Sequence, residues 1–460
     1  MDIHEDRTGA VSVTTDHGRP TAAALIRQIA TAALPLYLSM IAASAGALVD
    51  TAVLGHHATA ALAGLTVTMA VYGPATAAIA GAQRGVMPFV TEHQDEPAQL
   101  VSVLRNGMWL AVASGGLGAL AVAAVPWIGR IGGVPDAALD QLGLFPVLLA
   151  AATLLTAVST TAGSALIGLG RGHLVMRAGL AGTGAAVVLS LLLVGGAGPL
   201  PSLGLAGAGI AMLASSAISA VVTQVALRRS PQLAGHSLKL GRPQLTQVIG
   251  LARVGIPLAA TVLIKFAVLG VLAFSAARIG TEAAAVHSVA VSLVNLMFTA
   301  AVAVGQAVVP VVAERLKGQD LAGVRAGAVS GLVVSAGAVL LLGGLLTVLR
   351  GPVLAVFSAD PTVRDGLVDL LPLVLAATLA DAFQALFGFG LIGVRRTLPS
   401  MLCFAACYGV LALLAGPVAA GGGLTALWGT LAVVNLVLIA AQGWCFRRYS
   451  ALAVAAPVPV

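Results

Sequence analysis

Charge is what this chain of 460 residues has least of: 9% are Asp, Glu, Lys or Arg, against about 25% in a soluble globular domain. So few charges cannot solubilise a chain of this size. With 59% hydrophobic residues and a mean hydropathy of +1.01, a soluble class is excluded and a polytopic membrane protein is expected. Aromatic residues are also scarce, at 4%. Any cavity is then lined by Ala, Gly, Val and Leu, which gives room for bulky amphipathic molecules and little discrimination among them. Cysteine occurs three times, at Cys403, Cys407 and Cys445, always in apolar segments. Cys403 and Cys407 share a helix face at i,i+4 and read as small buried apolar residues, with a soft-metal pair as the alternative.

Other absences narrow the function. There is no Walker motif, dinucleotide fingerprint or metal-ligand spacing, so neither cofactor nor resident metal is expected, nor ATP hydrolysis within the chain. No nucleophile–base constellation argues for an enzyme. The net charge of +7 does not imply a nucleic-acid partner, because the bases sit in short loops between apolar runs, where topology explains them. The first 25 or so residues, Met1 to Leu25, are polar and lack the short apolar core of a cleaved signal peptide.

What the chain has is apolar runs. Twelve reach spanning length, at 29–54, 60–83, 106–128, 143–167, 174–196, 204–226, 254–276, 284–310, 326–349, 368–393, 398–418 and 424–446; a bilayer needs about 20 residues. Abundant Ala and 55 Gly residues point to close helix–helix contacts in lipid, the partner such a surface requires. The longest connection, Arg228 to Arg253, is polar and basic. The expected organisation is a tail at 1–28, an N-lobe at 29–227, a loop at 228–253, a C-lobe at 254–446 and a tail at 447–460.

The lobes repeat each other. Pro35, Thr59, Pro88 and Glu92 answer Pro257, Thr281, Pro310 and Glu314, each 222 positions later without a gap. The repeat continues with a small drift: Arg105-Asn-Gly107 matches Arg325-Ala-Gly327, Pro146 matches Pro372, and Leu166-Ile-Gly168 matches Leu391-Ile-Gly393. Two homologous membrane lobes make a transporter plan. With the N-terminus inside, nineteen of the 24 basic residues fall on inner loops and helix ends, four (Arg130, Arg278, Arg350, Arg364) fall outside, and Lys265 lies within a span. That bias places both termini in the cytoplasm. Six spans per half is an even number, so the lobes share one orientation and a pseudo-two-fold axis along the membrane normal.

Ionisable groups at bilayer depth are costly and are functional candidates by default. Three are clear: Asp50, Lys265 and Asp381. Asp50 breaks the repeat, since its counterpart is Leu272. It sits about four residues from the outer end of span one, beside Gly46 and Ala47, with no base at its depth in the N-lobe. Such a carboxylate suits a proton-coupled exporter, which must bind a proton on one side and release it on the other. Ser190 on span five lies at similar depth and is a candidate hydrogen-bond partner; a serine bonded to its own backbone is the alternative. Lys265 lies about 11 residues from the inner end of its span and Asp381 about 13 from the outer end of its own. At 1.5 Å per residue both reach mid-membrane, so an ion pair is expected, structural or functional. Arg84, near the inner end of span two, reads as a snorkelling anchor. His56, His57 and His287 read as solvated, and Trp109, Trp127, Trp428 and Trp444 as an interfacial belt.

The segment Leu48-Val-Asp-Thr-Ala-Val-Leu-Gly-His56 resembles the first-helix signature of multidrug and toxic compound extrusion (MATE) transporters, in particular the DinF-like branch. The twelve spans, the duplicated halves and the Gly168…Arg171 and Gly393…Arg396 span ends are similar to that family too, over essentially residues 29 to 448. The resemblance implies an all-α pair of six-helix lobes arranged as a V in a bacterial inner membrane. It further implies export of small amphipathic, often cationic compounds in exchange for H+ or Na+, with Asp50 as the coupling residue. The NorM-like acid of helix seven is replaced here by Lys265, whereas the NorM-like acid of helix ten matches Asp381. Where many relatives carry Asn and Asp on helix five, this chain has Ala186 and Ser190. A proton needs one carboxylate and Na+ a cage of oxygens, so H+ is favoured. Protonation of Asp50 is expected to let span one repack, with Pro35 as the hinge. A monomer is expected, with membrane lipid around it. A lipid-linked precursor flippase is the alternative; it needs central bases to hold pyrophosphate.

Overall fold

The computed structural model describes residues 21–57, 59–196, 202–357 and 360–455, and among these every regular element is helical. In the N-lobe these are α1 (Ala22–His57), α2 (Thr59–Arg84), α3 (Met87–Glu92), α4 (Pro97–Ala123), α5 (Val125–Ile131), α6 (Asp136–Asp140), α7 (Phe145–Gly168), α8 (Gly172–Leu193) and α9 (Gly204–Arg228). A 3₁₀ turn at Pro231–Leu233 precedes the C-lobe helices α10 (Leu245–Ile279), α11 (Thr281–Lys317), α12 (Leu321–Val348), α13 (Arg350–Phe357), α14 (Pro361–Gly393) and α15 (Thr397–Ala455). Eleven of them are long and apolar enough to cross a bilayer. The longest, α15, is two spans in line: Gly423 interrupts it with φ of 65°, a left-handed conformation that costs glycine nothing. The described helices therefore accommodate all twelve runs.

Several helices outrun the apolar stretches. α10 begins at Leu245, so much of the polar inter-lobe connection is helical, and α15 runs on to Ala455 through most of the segment expected as a C-terminal tail. Backbone hydrogen bonds continue wherever no residue breaks them, while the apolar pattern stops at the membrane edge. His56 and His57 lie in the last turn of α1, where their side chains fall outside the described ones.

Within the N-lobe, α7 packs on α4 and α9, and α8 on α1 and α9; within the C-lobe, α14 packs on α11 and α15, and α15 on α10. The lobes meet through α2 on α10 and α1 on α11. At the end remote from the chain termini, each core belongs to one lobe: Leu54, Val122, Phe145 and Leu149 in one, Leu272, Leu293, Leu411 and Leu427 in the other. At the end carrying most of the bases, the cores cross. Leu25 and Ile29 of α1 pack with Val308 and Val312 of α11, and Leu36, Met87 and Ile167 with Val302, Val309 and Phe389. The molecule is thus a V, closed at its basic end. There Gly85 and Gly255 bring backbones together: a methyl on Gly85 would stand 2.8 Å from the Gly255 nitrogen. Two ion pairs also cross, Arg395 Nη2 to Glu92 Oε1 at 2.6 Å and Lys317 Nζ to Asp95 Oδ2 at 2.9 Å.

Candidate functional site

α1 and α8 approach closely because Gly46 faces Thr183, leaving no room for a larger residue. That approach delivers Ser190 to Asp50: Ser190 Oγ donates to Asp50 Oδ1 at 2.5 Å. Ser190 is fully buried and Asp50 half-buried. Among the described residues no base pairs with Asp50. Ala186, one turn before Ser190, is buried and supplies no oxygen side chain. Among the described residues the N-lobe acid therefore has one hydroxyl partner and not a set of oxygen ligands. A hydroxyl donor favours the charged form, and protonation weakens that bond because a neutral carboxyl is the poorer acceptor, which is the elementary chemistry of a proton-carrying group.

In the C-lobe, Lys265 Nζ lies 2.7 Å from Asp381 Oδ2 and 3.6 Å from the centre of the Phe298 ring. Gln384 Nε2 donates to the other carboxylate oxygen at 2.8 Å. Both carboxylate oxygens are occupied and the ammonium is covered by an aromatic face, as a buried pair requires. The surrounding cavity, ≈ 30 Å³, is also lined by Asn435 and Tyr408, which are bonded to each other through Tyr408 Oη and Asn435 Oδ1 at 3.2 Å. Asp50 and the Lys265–Asp381 pair lie in separate lobes; the structure does not gather the candidates into one site. Pro35 lies within α1, in a crevice at the basic end that also includes Pro310.

Three sequence expectations are corrected. His287 is not solvated: it is 4% exposed and packs on Trp428, ring centroids 5.7 Å apart. Trp428 is correspondingly 2% exposed and belongs to the C-lobe core, while Trp127 and Trp444 are exposed. Arg84 does not snorkel. It faces an N-lobe cavity of ≈ 250 Å³, with its guanidinium carbon 5.8 Å from the centre of the Phe389 ring of the other lobe.

A MatE family model matches residues 35–192 and 257–418. Both matches begin at the prolines that open the repeat. This chain belongs to the MatE family. Its curated relatives include a probable multidrug resistance protein NorM of Aromatoleum aromaticum, 27% identical over 442 residues, which are 90% of this chain and 92% of the relative. Another, of the same name from Acinetobacter baylyi, is 25% identical over 393 residues, 83% of this chain and 86% of the relative. A solved structure described as the outward-facing conformation of a multidrug resistance MATE family transporter superposes with a TM-score of 0.84 at 16% identity, over 95% of this chain and 99% of that one. This MatE chain therefore has the two-lobe fold of a multi-pass membrane transporter family.

Proposed function

We propose that this chain is a secondary antiporter that exports amphipathic drugs or metabolites, cationic ones by its family resemblance, in exchange for H+ rather than Na+. The relatives named for multidrug resistance support the export reading. The observation that carries the coupling reading is Asp50 with its single hydroxyl partner, Ser190. One carboxylate suffices for a proton, whereas a cation cage needs several oxygens. The positive-inside bias supports a bacterial inner membrane with both termini cytoplasmic. The closed basic end then faces the cytoplasm and the V opens outward. In this state Asp50 takes up a proton, the Asp50–Ser190 hydrogen bond loosens, and α1 repacks around Pro35; substrate leaves and the lobes rock to release the proton inside. A proton drives this cycle only through different affinities for the two states, which the isolation of Asp50 on one lobe permits. The chain works as a monomer in lipid, with no cofactor.

The test is ethidium efflux from cells carrying the wild type, Asp50→Asn or Ser190→Ala, with a proton ionophore and with Na+ withdrawn. Wild-type efflux stops with ionophore and survives Na+ withdrawal. Asp50→Asn abolishes it. Ser190→Ala, which removes a hydrogen bond to a charged acceptor worth about 1.5–3 kcal/mol, lowers it about tenfold or more. Full gradient-dependent efflux by Asp50→Asn would falsify the coupling role.

A further inference from the structure

The cavity that Arg84 faces has a chemistry the antiport cycle does not use. α1, α2, α7, α8 and α9 form its walls, and the C-lobe contributes Gln306 from α11. Arg84 and Gln306 occupy equivalent positions in the two repeats, 222 apart. They meet in this cavity, where the pseudo-axis brings the two copies of one repeat position together, and only the N-lobe copy is charged.

Among the described residues the lining is rich in donors and holds no carboxylate. Among the described residues Arg84 has no ion pair, and its guanidinium donates to no carbonyl of the helix it terminates. Ser39, Ser159 and Ser164 line the same space, and among the described residues none of their hydroxyls is engaged in a hydrogen bond. Thr160 and Thr223 differ: each donates to a carbonyl one turn back. Among the described residues Gln306 Nε2 has only the Met40 sulfur at 3.9 Å. A guanidinium, three hydroxyls and an amide thus present unspent N–H and O–H groups to one space. A cation placed there would meet a fixed like charge; an oxyanion would meet a planar fork and hydroxyl donors, the arrangement that recognises carboxylate and phosphate. An unpaired arginine at membrane depth is costly, and an anionic ligand removes that cost.

Size narrows the ligand. At ≈ 250 Å³ the cavity falls below the usual range of about 300–1,000 Å³ for drug-sized ligands. It takes a headgroup and leaves the apolar body outside. Its position also matters: Ile167, which lines it, and Phe389, whose ring lies 5.8 Å from the Arg84 guanidinium carbon, belong to the apolar seal between the lobes. A ligand held here sits on the surface that must part when the lobes rock.

We infer that this cavity binds the oxyanion headgroup (carboxylate, sulfonate or phosphate) of an acidic or zwitterionic amphiphile through Arg84, Ser39, Ser159, Ser164 and Gln306. The inference rests on the export reading only for the fate of the bound ligand, and so it extends the substrates from cations to acids and zwitterions. Binding itself is tested without transport. The purified chain in phosphatidylcholine nanodiscs is titrated, by fluorescence anisotropy, with dansylglycine and with its uncharged amide. The wild type binds the acid at least tenfold more tightly than the amide. Arg84→Gln abolishes that preference, and Arg84→Lys keeps part of it. Gln306→Glu, which leaves Arg84 in place and sets a carboxylate beside it, also abolishes the preference, so the test survives misfolding of either variant. Phosphatidylglycerol added to the nanodisc tells the sources apart: displacement of dansylglycine identifies a lipid headgroup as occupant, and no displacement a free amphiphile. Equal affinity for acid and amide, or a tenfold preference retained by Arg84→Gln, overturns the inference. Loss of proton-driven ethidium efflux with the acid preference intact would overturn the antiport reading and leave this one standing.

Discussion

Lys265 and Asp381 pose a question that energetics can decide. Removing one member of a buried pair leaves an uncompensated charge and costs about 3–5 kcal/mol, whereas replacing both by apolar residues of similar volume is often neutral or stabilising. Asp381 is 7% and Lys265 21% exposed at the side chain, so both rules apply. If the pair holds the C-lobe together and does no more, Lys265→Ala lowers the melting temperature sharply, while Lys265→Met with Asp381→Leu melts near the wild type and exports at its rate. A double variant that melts normally yet fails to export would make the pair part of the transport cycle. The heights of these residues were legible because a helix rises 1.5 Å per residue, and counting along two spans sufficed to bring Lys265 level with Asp381 and Ser190 level with Asp50. Rotation about the helix axis is a separate coordinate, and in a nearly uniform apolar sequence no polar stripe reports it. For that reason the faces of Arg84, His287 and Trp428 are not legible in the sequence.

Helices are legible in number, less so in extent. Hydropathy registers the bilayer and not the hydrogen-bonded backbone, so α10 and α15 extend beyond the apolar runs that revealed them. The repeat also hid a difference between the lobes. α11 is continuous from Thr281 to Lys317, whereas its counterpart breaks at Gly85–Val86 into α2 and α3. The break lies where Gly85 meets Gly255, and no local signal distinguishes it, because a lone glycine in a membrane helix is common. Helix ends follow clearer rules. Asp360 caps α14: its Oδ1 accepts from Thr362 N at 2.9 Å and from Thr362 Oγ1 at 2.8 Å, and these bonds hold its carboxyl below the ordinary 3.8. A carboxyl whose folded value is depressed stabilises above the unfolded value and loses that contribution as pH falls through the folded one. Hydrogen exchange in the first turn of α14, corrected for intrinsic rates, is therefore expected to be flat from neutral pH down to the ordinary carboxylate value and to quicken below it. In Asp360→Asn, whose side chain does not titrate, that acid-side step disappears.

At the scale of the whole molecule the two lobes and their relation are legible in the repeat, but not which end of the V is closed; the cores cross between the lobes at the basic end. What holds the closed end can be argued from exposure. Lys317 and Asp95 are 39% and 70% exposed at the side chain, Arg395 and Glu92 each about a third or less. Pairs as exposed as the first contribute about 0.2–1 kcal/mol. The apolar seal of Leu36, Met87, Ile167, Val309 and Phe389 is almost wholly out of water, at about 1.5–3 kcal/mol for a fully buried large side chain. The seal therefore dominates, and the ion pairs set register: Asp95 and Lys317 are equivalent positions in the two repeats, so their contact spans the pseudo-axis itself. Neutralising both acids, Glu92→Gln with Asp95→Asn, is expected to shift the closed–open equilibrium only severalfold. Gly85→Leu is expected to open the basic end outright, since even a methyl there would lie 2.8 Å from the Gly255 backbone nitrogen and neither backbone can yield without parting α2 from α10. Spin labels at Glu96 and Gly318, in a background without native cysteines, read the distance across that end. A long-distance population that dominates in Gly85→Leu and stays minor in the double neutralised variant supports the seal. Equal opening by the two variants would transfer the closing role to the ion pairs.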